Sequence, residues 1–244
     1  MTNLAIFLIS SLIIFFASAV QGAVGFGFVL IVAPLLTIFL PLKILVPSFI
    51  LFGLVVNTMI IFSVRQHIVL KEIWVLIVMG ILGIPIGVYG LNKLDPEILK
   101  FLIGIIILIT SLAMYKGYKL SLKNKTLSFS IAGFISGVLN GSISMSGPPI
   151  VLFLANEGYD KNKFRANTNA YFIITNVITI ITLALSGYIT SDVIKFTGSN
   201  LIILILGTIA GIYISKKINE QTFKKAILIL LITTGIITSI NALL

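Results

Sequence analysis

Apolar residues dominate this chain, and polar ones interrupt them at regular intervals. Apolar segments fall at about 3–19, 28–40, 44–63, 73–91, 98–115, 128–139, 148–156, 166–186, 199–215 and 223–243. Six of these are long enough to span a bilayer as helices: 44–63, 73–91, 98–115, 166–186, 199–215 and 223–243. The other four lie in two interrupted regions, 3–40 and 128–156, whose breaks are rich in glycine, serine and proline. The first break reads Gln21-Gly22-Ala23-Val24-Gly25-Phe26-Gly27, and the second Asn140-Gly141-Ser142-Ile143-Ser144-Met145-Ser146-Gly147-Pro148-Pro149.

The two breaks are echoes of one another. Gly22 and Gly141 are 119 residues apart, and so are Asn57 and Asn176, which open the similar runs Asn-Thr-Met-Ile-Ile-Phe and Asn-Val-Ile-Thr-Ile-Ile. A duplicated apolar chain with helix breaks at corresponding places is the mark of a membrane transporter whose site lies at the breaks. The expected fold class is therefore all-α and polytopic: two inverted repeats, each a broken or re-entrant helical hairpin followed by three transmembrane helices. The expected units are 1–118, a basic cytoplasmic linker 119–127, and 128–244, together one membrane domain.

Composition narrows the class further. Of the 244 residues 58% are hydrophobic and 10% charged, and the mean hydropathy is +1.18. A soluble domain of this size cannot bury so much apolar surface, so lipid is the expected solvent. The chain has no cysteine, which removes disulfides, thiolate metal sites and thiol catalysis. The net charge of +10 comes from lysines and arginines in short loops, which marks topology rather than nucleic-acid binding.

That charge also chooses between arrangements. If both interrupted regions are hairpins, one face receives Lys43, Lys93, Lys100 and Lys195. The other receives Arg65, Lys71, Lys116, Lys119, Lys123, Lys125, Lys161, Lys163, Arg165, Lys216, Lys217, Lys224 and Lys225, a split of four against thirteen. Single crossings give seven against ten. The positive-inside rule prefers the sharper asymmetry, which puts both termini outside the cytoplasm and the linker inside, in a plasma (inner) membrane. A full crossing by 3–19 with a return in the next segment gives the same sidedness. Three crossings after each hairpin would invert the second repeat against the first.

The breaks carry the candidate chemistry. Gly22, Gly25 and Gly27 tolerate backbone shapes a helix interior forbids, and Pro148 and Pro149 suit the first turn of a new helix. Helices resuming near Phe28 and Pro148 would begin near the midplane, where their N-terminal ends favour anions. Gln21, Asn140, Ser142, Ser144 and Ser146 add neutral hydrogen-bonding groups. The expected substrate-binding set is Gln21, Gly22, Gly25, Gly27, Phe28, Asn140, Gly141, Ser142, Ser144, Ser146, Gly147 and Pro148, with Asn57 and Asn176 as paired amides facing the cavity. Close helix packing by small residues, and interhelical hydrogen bonding by the two asparagines, are the competing readings. Asn167, Thr168 and Asn169 read as helix caps, and His67 as a solvated loop residue. Arg165 has two readings, an anion-neutralising group near the cytoplasmic mouth and a loop determinant of topology, and the second is preferred.

What is missing matters equally. The seven acids, Glu72, Asp95, Glu97, Glu157, Asp160, Asp192 and Glu220, all fall in loops or at segment ends. No intramembrane carboxylate suggests proton coupling, no ligand cluster suggests a metal, and no triad suggests hydrolysis. No cofactor is expected. The expected partners are a small anion and the bilayer, with no nucleic acid, and self-association is compatible with the composition.

Gly22-x-x-Gly25-x-Gly27, with Pro34 following, resembles the first signature of the TauE/SafE sulfite exporter family. Ser146-Gly147-Pro148-Pro149-Ile150-Val151-Leu152-Phe153-Leu154, followed by Lys163-Phe164-Arg165-Ala166, resembles a common form of its second. The resemblance spans nearly the whole chain. Phe26 stands where a further glycine is common. The resemblance implies a permease, not an enzyme, for small sulfur-containing anions such as sulfite or organosulfonates, most often exported. Small carboxylates are the alternative substrates. A membrane-embedded enzyme or a non-transporting accessory subunit are the alternative functions.

Overall fold

A computed structural model describes residues 3–115, 125–219, 221–222 and 229. These residues are helical, with no strand among them. The elements are α1 (Asn3–Val24), α2 (Phe28–Leu36), α3 (Leu42–Val64), α4 (Leu70–Lys93), α5 (Pro96–Tyr115), α6 (Lys125–Ile143), α7 (Gly147–Asn156), α8 (Lys161–Leu185) and α9 (Ser191–Lys217), with a short 3₁₀ turn at Arg65–His67. The expected last crossing, 223–243, and most of the linker 119–127 lie outside the described residues.

Six of these helices are long and apolar enough to cross a membrane: Leu4–Val24, Leu42–His67, Leu70–Lys93, Lys125–Ile143, Lys161–Leu185 and Ser191–Lys217. Their outward faces confirm what solvent they need. Leu4, Leu8, Leu12 and Phe16 on α1, and Trp74, Val78, Leu82 and Ile86 on α4, are all exposed at four-residue spacing. Such stripes are unfavourable in water and neutral against lipid tails, whereas Ser11, Asn57, Asn176 and Asn200 are buried. The long first limbs differ from the short hairpin arms expected from hydropathy. The helices run through Gln21-Gly22 and Asn140-Gly141-Ser142, because polar side chains in the last turn can bond to backbone there; Ser142 Oγ donates to the Val138 carbonyl at 2.8 Å.

A shift of 119 residues carries one half of the described chain onto the other. It takes the end of α1, Val24, to the end of α6, Ile143. It takes the start of α2, Phe28, to the start of α7, Gly147, and the start of α3, Leu42, to the start of α8, Lys161. Packing follows the same map. α1 lies along α9 and α6 along α4; α3 meets α9 and α8 meets α4; α3 and α8 pair at the centre. Exchanging the halves leaves this pattern unchanged.

The two long lateral pairs are held by small residues. On α6, Gly133, Gly137 and Gly141 face α4. An added Cβ at Gly137 would overlap the Gly80 carbonyl, and one at Gly133 would stand 2.5 Å from the Leu76 carbonyl oxygen. On the other side, a Cβ at Gly22 would come within 2.6 Å of the Thr208 carbonyl oxygen on α9, and one at Gly211 would overlap Ala19. Without a hydrophobic drive between helices in lipid, such close approach supplies the association energy through dispersion.

Candidate functional site

Each break is three residues long, 25–27 and 144–146. Gly25 ends α1 with φ +94°, and Ser144, its partner under the 119-residue shift, ends α6 with φ +60°. Both are left-handed caps, bonded four residues back: Gly25 N to Gln21 O at 2.6 Å and Ser144 N to Asn140 O at 3.0 Å. Serine in that conformation costs on the order of 1 kcal/mol relative to glycine. Its hydroxyl offsets this by donating to the Val46 carbonyl at 2.7 Å. Gly27, with φ +109°, turns the chain into α2.

The breaks meet around a partly open cavity of about 40 Å³. Its wall contains Gln21, Phe26, Gly27, Phe28, Val29 and Leu30 from the first break, and Asn140, Ser144, Met145, Ser146, Gly147 and Pro148 from the second. α3 contributes Phe49, Ile50, Gly53 and Asn57, and α8 contributes Phe172 and Asn176. Among the described residues no lysine, arginine, aspartate, glutamate or histidine lines it. The volume holds roughly three waters.

Two amide pairs cross this cavity wall. Gln21 Nε2 donates to Asn57 Oδ1 at 2.6 Å, and Asn140 Nδ2 donates to Asn176 Oδ1 at 3.3 Å. Both pairs span 36 residues, and the 119-residue shift superposes one on the other. The rest of their bonding differs. Gln21 Oε1 accepts the Phe28 amide at 3.0 Å, which caps α2. Asn140 is one methylene shorter. Its Nδ2 also reaches Thr179 Oγ1 at 2.9 Å, while Thr179 spends its own proton on the Thr175 carbonyl at 2.8 Å. That chain of donors fixes the Asn140 amide orientation and leaves its Oδ1, fully buried, with no partner among the described residues.

The remaining donors are backbone. The amides of Val29 and Leu30 lie in the first turn of α2, where no carbonyl of the helix can accept from them, and Gly147 begins α7 in the same way. The Phe28 amide, by contrast, is taken by Gln21, and Pro148 and Pro149 have no N–H to offer. Fewer free amides therefore face the cavity than two bare helix ends would supply.

Of the fourteen candidate site residues, ten stand on the cavity wall: Gln21, Gly27, Phe28, Asn57, Asn140, Ser144, Ser146, Gly147, Pro148 and Asn176. The other four do not. Gly22 and Gly141 lie at the contacts of α1 with α9 and of α6 with α4. Ser142 bonds within its own helix. Gly25 faces Arg165 and Asn169 on α8; its carbonyl accepts from Asn169 Nδ2 at 3.1 Å. Phe26 stands on the wall within the first break, whereas the aromatic residues Phe49 and Phe172 escaped the reading of the sequence. Phe49, Gly53 and Asn57 share one face of α3, and Phe172 and Asn176 one face of α8, so four-residue spacing from the asparagines points to them.

The start of α8 also differs from its sequence reading. Asp160 is the cap, accepting from the amides of Asn162 and Lys163 at 2.8 and 2.9 Å. Asn167, Thr168 and Asn169 are therefore interior and fully buried, not caps. Arg165 is 3% exposed rather than solvated in a loop. Lys163 pairs with Glu72 at 2.8 Å, tying α8 to α4. Among the described residues no group of three or more His, Cys, Asp or Glu stands together.

A family model, sulfite exporter TauE/SafE, matches residues 10–238, nearly the entire chain. The chain belongs to that family. Among curated proteins and among solved structures, nothing matches it significantly. The TauE/SafE family is one of membrane exporters, and six span-length apolar helices agree with it: this is a multi-pass membrane protein of a transporter family.

Proposed function

We propose that this TauE/SafE protein is a permease that carries small sulfur oxyanions, sulfite foremost, through the cavity between its two helix breaks. The observation that carries the reading is that cavity: free of charged side chains among the described residues, and bounded by two amide pairs related by the 119-residue shift. Its free donors are first-turn amides, which favour an anion without holding it as a lysine or arginine would. A sulfur bearing three oxygens is of the size of the roughly three waters the space admits. An extended organosulfonate or carboxylate would need the walls to part, so sulfite is the better fit.

The architecture proposed for this transport is an inverted repeat, 1–118 and 128–244, joined by the basic segment 119–127. Matching element boundaries and an exchange-invariant packing pattern support the duplication, and the four-to-thirteen split of cations supports the inversion and an external position for both termini. An interior-negative plasma membrane would drive such an anion outward by roughly 2.3 kcal/mol per charge per 100 mV, without a proton site in the protein.

Purified protein in liposomes tests the reading. Sulfite loaded inside should leave under an imposed potential. Gly147→Leu should stop that flux while the protein stays folded. The nearest atoms to a Cβ at Gly147 are on Phe172 and Phe26 at 3.9 Å, so the first carbon fits and the branched remainder fills the cavity. Undiminished flux through Gly147→Leu would remove the cavity from the pathway, and wild-type protein that moves no sulfite would refute the function.

A further inference from the structure

Arg165 is a buried cation with no counter-charge beside it among the described residues. Its Nη2 donates to the carbonyl oxygen of Gly22 at 2.7 Å. Its Nε has no acceptor. Neither ion pair found among the described residues involves it; these are Lys163–Glu72 and Lys125–Glu157. A guanidinium removed from water without a carboxylate is costly, and an ionisable group at membrane depth marks a functional position. Two residues on the same face share the deficit. Thr168 Oγ1 and Asn169 Oδ1 are buried with no partner among the described residues. One turn of α8 thus holds three buried side chains with unmet polar atoms, a density that native interiors reserve for bound water or ligand.

Its location gives this meaning. Gly22 adjoins Gln21, which lines the central cavity. A Cβ on Gly25 would stand 2.9 Å from Arg165 Cγ, so the guanidinium stem is pressed against the first break. The position related to Arg165 by the 119-residue shift is Val46, whose carbonyl receives Ser144 at the second break. One break is therefore backed by a cation and the other by an apolar residue. The starting turn of α8, with Lys161 and Lys163, belongs to the face richer in cations.

We propose that Arg165 is a second anion-binding point, on the cytoplasmic side of the cavity, where the substrate is held before it reaches the two breaks. This rests on the permease reading above. When the first break moves from α8, the guanidinium exchanges the Gly22 carbonyl for an oxyanion. Its Nε and Nη2 edge binds two oxygens of one sulfite at once, and the hydroxyl of Thr168, one turn on, completes the shell. The bond to Gly22 then closes the path when the anion has left.

Oriented proteoliposomes decide the matter, with sulfite supplied from either face to wild type, Arg165→Gln and Arg165→Lys. Loss of a charged, two-pronged hydrogen bond should raise the half-saturating concentration from the cytoplasmic face about tenfold or more in Arg165→Gln. It should change little from the other face. Arg165→Lys, which keeps charge but not the fork, should recover part of the loss. A purely structural arginine would instead lower the maximal rate equally from both faces, with lysine and glutamine alike, and that result overturns the proposal. Should Arg165→Gln fail to accumulate in membranes, Arg165→Lys decides alone: a one-sided rise supports the binding point, and an unchanged value overturns it. Wild-type protein that carries no sulfite overturns the permease reading itself. Wild-type flux with unaltered variants overturns only the role of Arg165.

Discussion

Gln21→Glu is the most informative single change in this molecule, because it alters charge while preserving shape. Gln21 Oε1 accepts from Phe28 N and Nε2 donates to Asn57 Oδ1. A glutamate keeps the first bond. The second survives if the Asn57 amide turns over, since no other side-chain bond holds Asn57. The fold therefore tolerates the substitution, and its effect is electrostatic. A cavity of 40 Å³ places a bound anion in contact with its wall. The two charges would then lie about 5 Å apart, and at an effective dielectric of about 20 they repel by about 3 kcal/mol. That is a loss in affinity of about two orders of magnitude.

The pH dependence gives this prediction a sign. Below its pKa the introduced carboxyl is neutral and the site resembles wild type; above it the carboxylate repels the anion. The assay is the half-saturating sulfite concentration for the variant divided by that of wild type, at each pH. Taking the ratio cancels the titration of sulfite itself. It should be large at alkaline pH and fall toward one as the medium is acidified. A ratio near one throughout would show that Gln21 does not face the substrate. Tighter binding at alkaline pH would show that the site takes a cation, and the reasoning from helix N-termini would be wrong.

Two further outcomes follow from packing and charge. Gly137→Ala forces a Cβ onto the Gly80 carbonyl and should cost about 1–3 kcal/mol, read as a lower unfolding temperature in detergent. Gly198→Ala has nothing within 4 Å of its Cβ and serves as the control that should not lose stability. A reporter active only in the cytoplasm, fused after Leu244, should be silent, and one inserted between Lys119 and Lys123 should be active; the reverse would refute the orientation drawn from the lysines.

The helix breaks were legible because glycine and proline act on the backbone locally. Phe28 and Gly147 start new helices at or beside the positions their sequence suggests. The lengths of α1 and α6 were not legible. Hydropathy falls at Gln21-Gly22 and Asn140-Gly141-Ser142, yet a helix does not end where side chains become polar if those side chains find partners. The duplication pointed to Asn57 and Asn176 because both halves keep them. The burial of Arg165 was hidden for the opposite reason. It follows Lys161 and Lys163 in what reads as a basic loop, and a charge on the first solvated turn looks the same as one a turn deeper. Only the Asp160 cap shows that α8 begins early enough to bury it.

Duplication alone would make the two sides of the cavity equal, and an equal site has no preferred direction of approach. Three departures from equality bear on the breaks. Gly25 is matched by Ser144, which ties the second break to α3 through Val46. Gln21 is matched by Asn140, so the amide that caps α2 has no counterpart capping α7, and an acceptor on Asn140 and the Gly147 amide are left unspent. Val46 is matched by Arg165, so the first break rests on a cation. A hydrogen bond that can be traded for a ligand bond makes a movable wall, whereas a hydroxyl locked to a carbonyl makes a fixed one. On this argument the first break, α1–α2, is the element that moves against α8 during transport, and the second, pinned by Ser144, is the surface on which the anion is held.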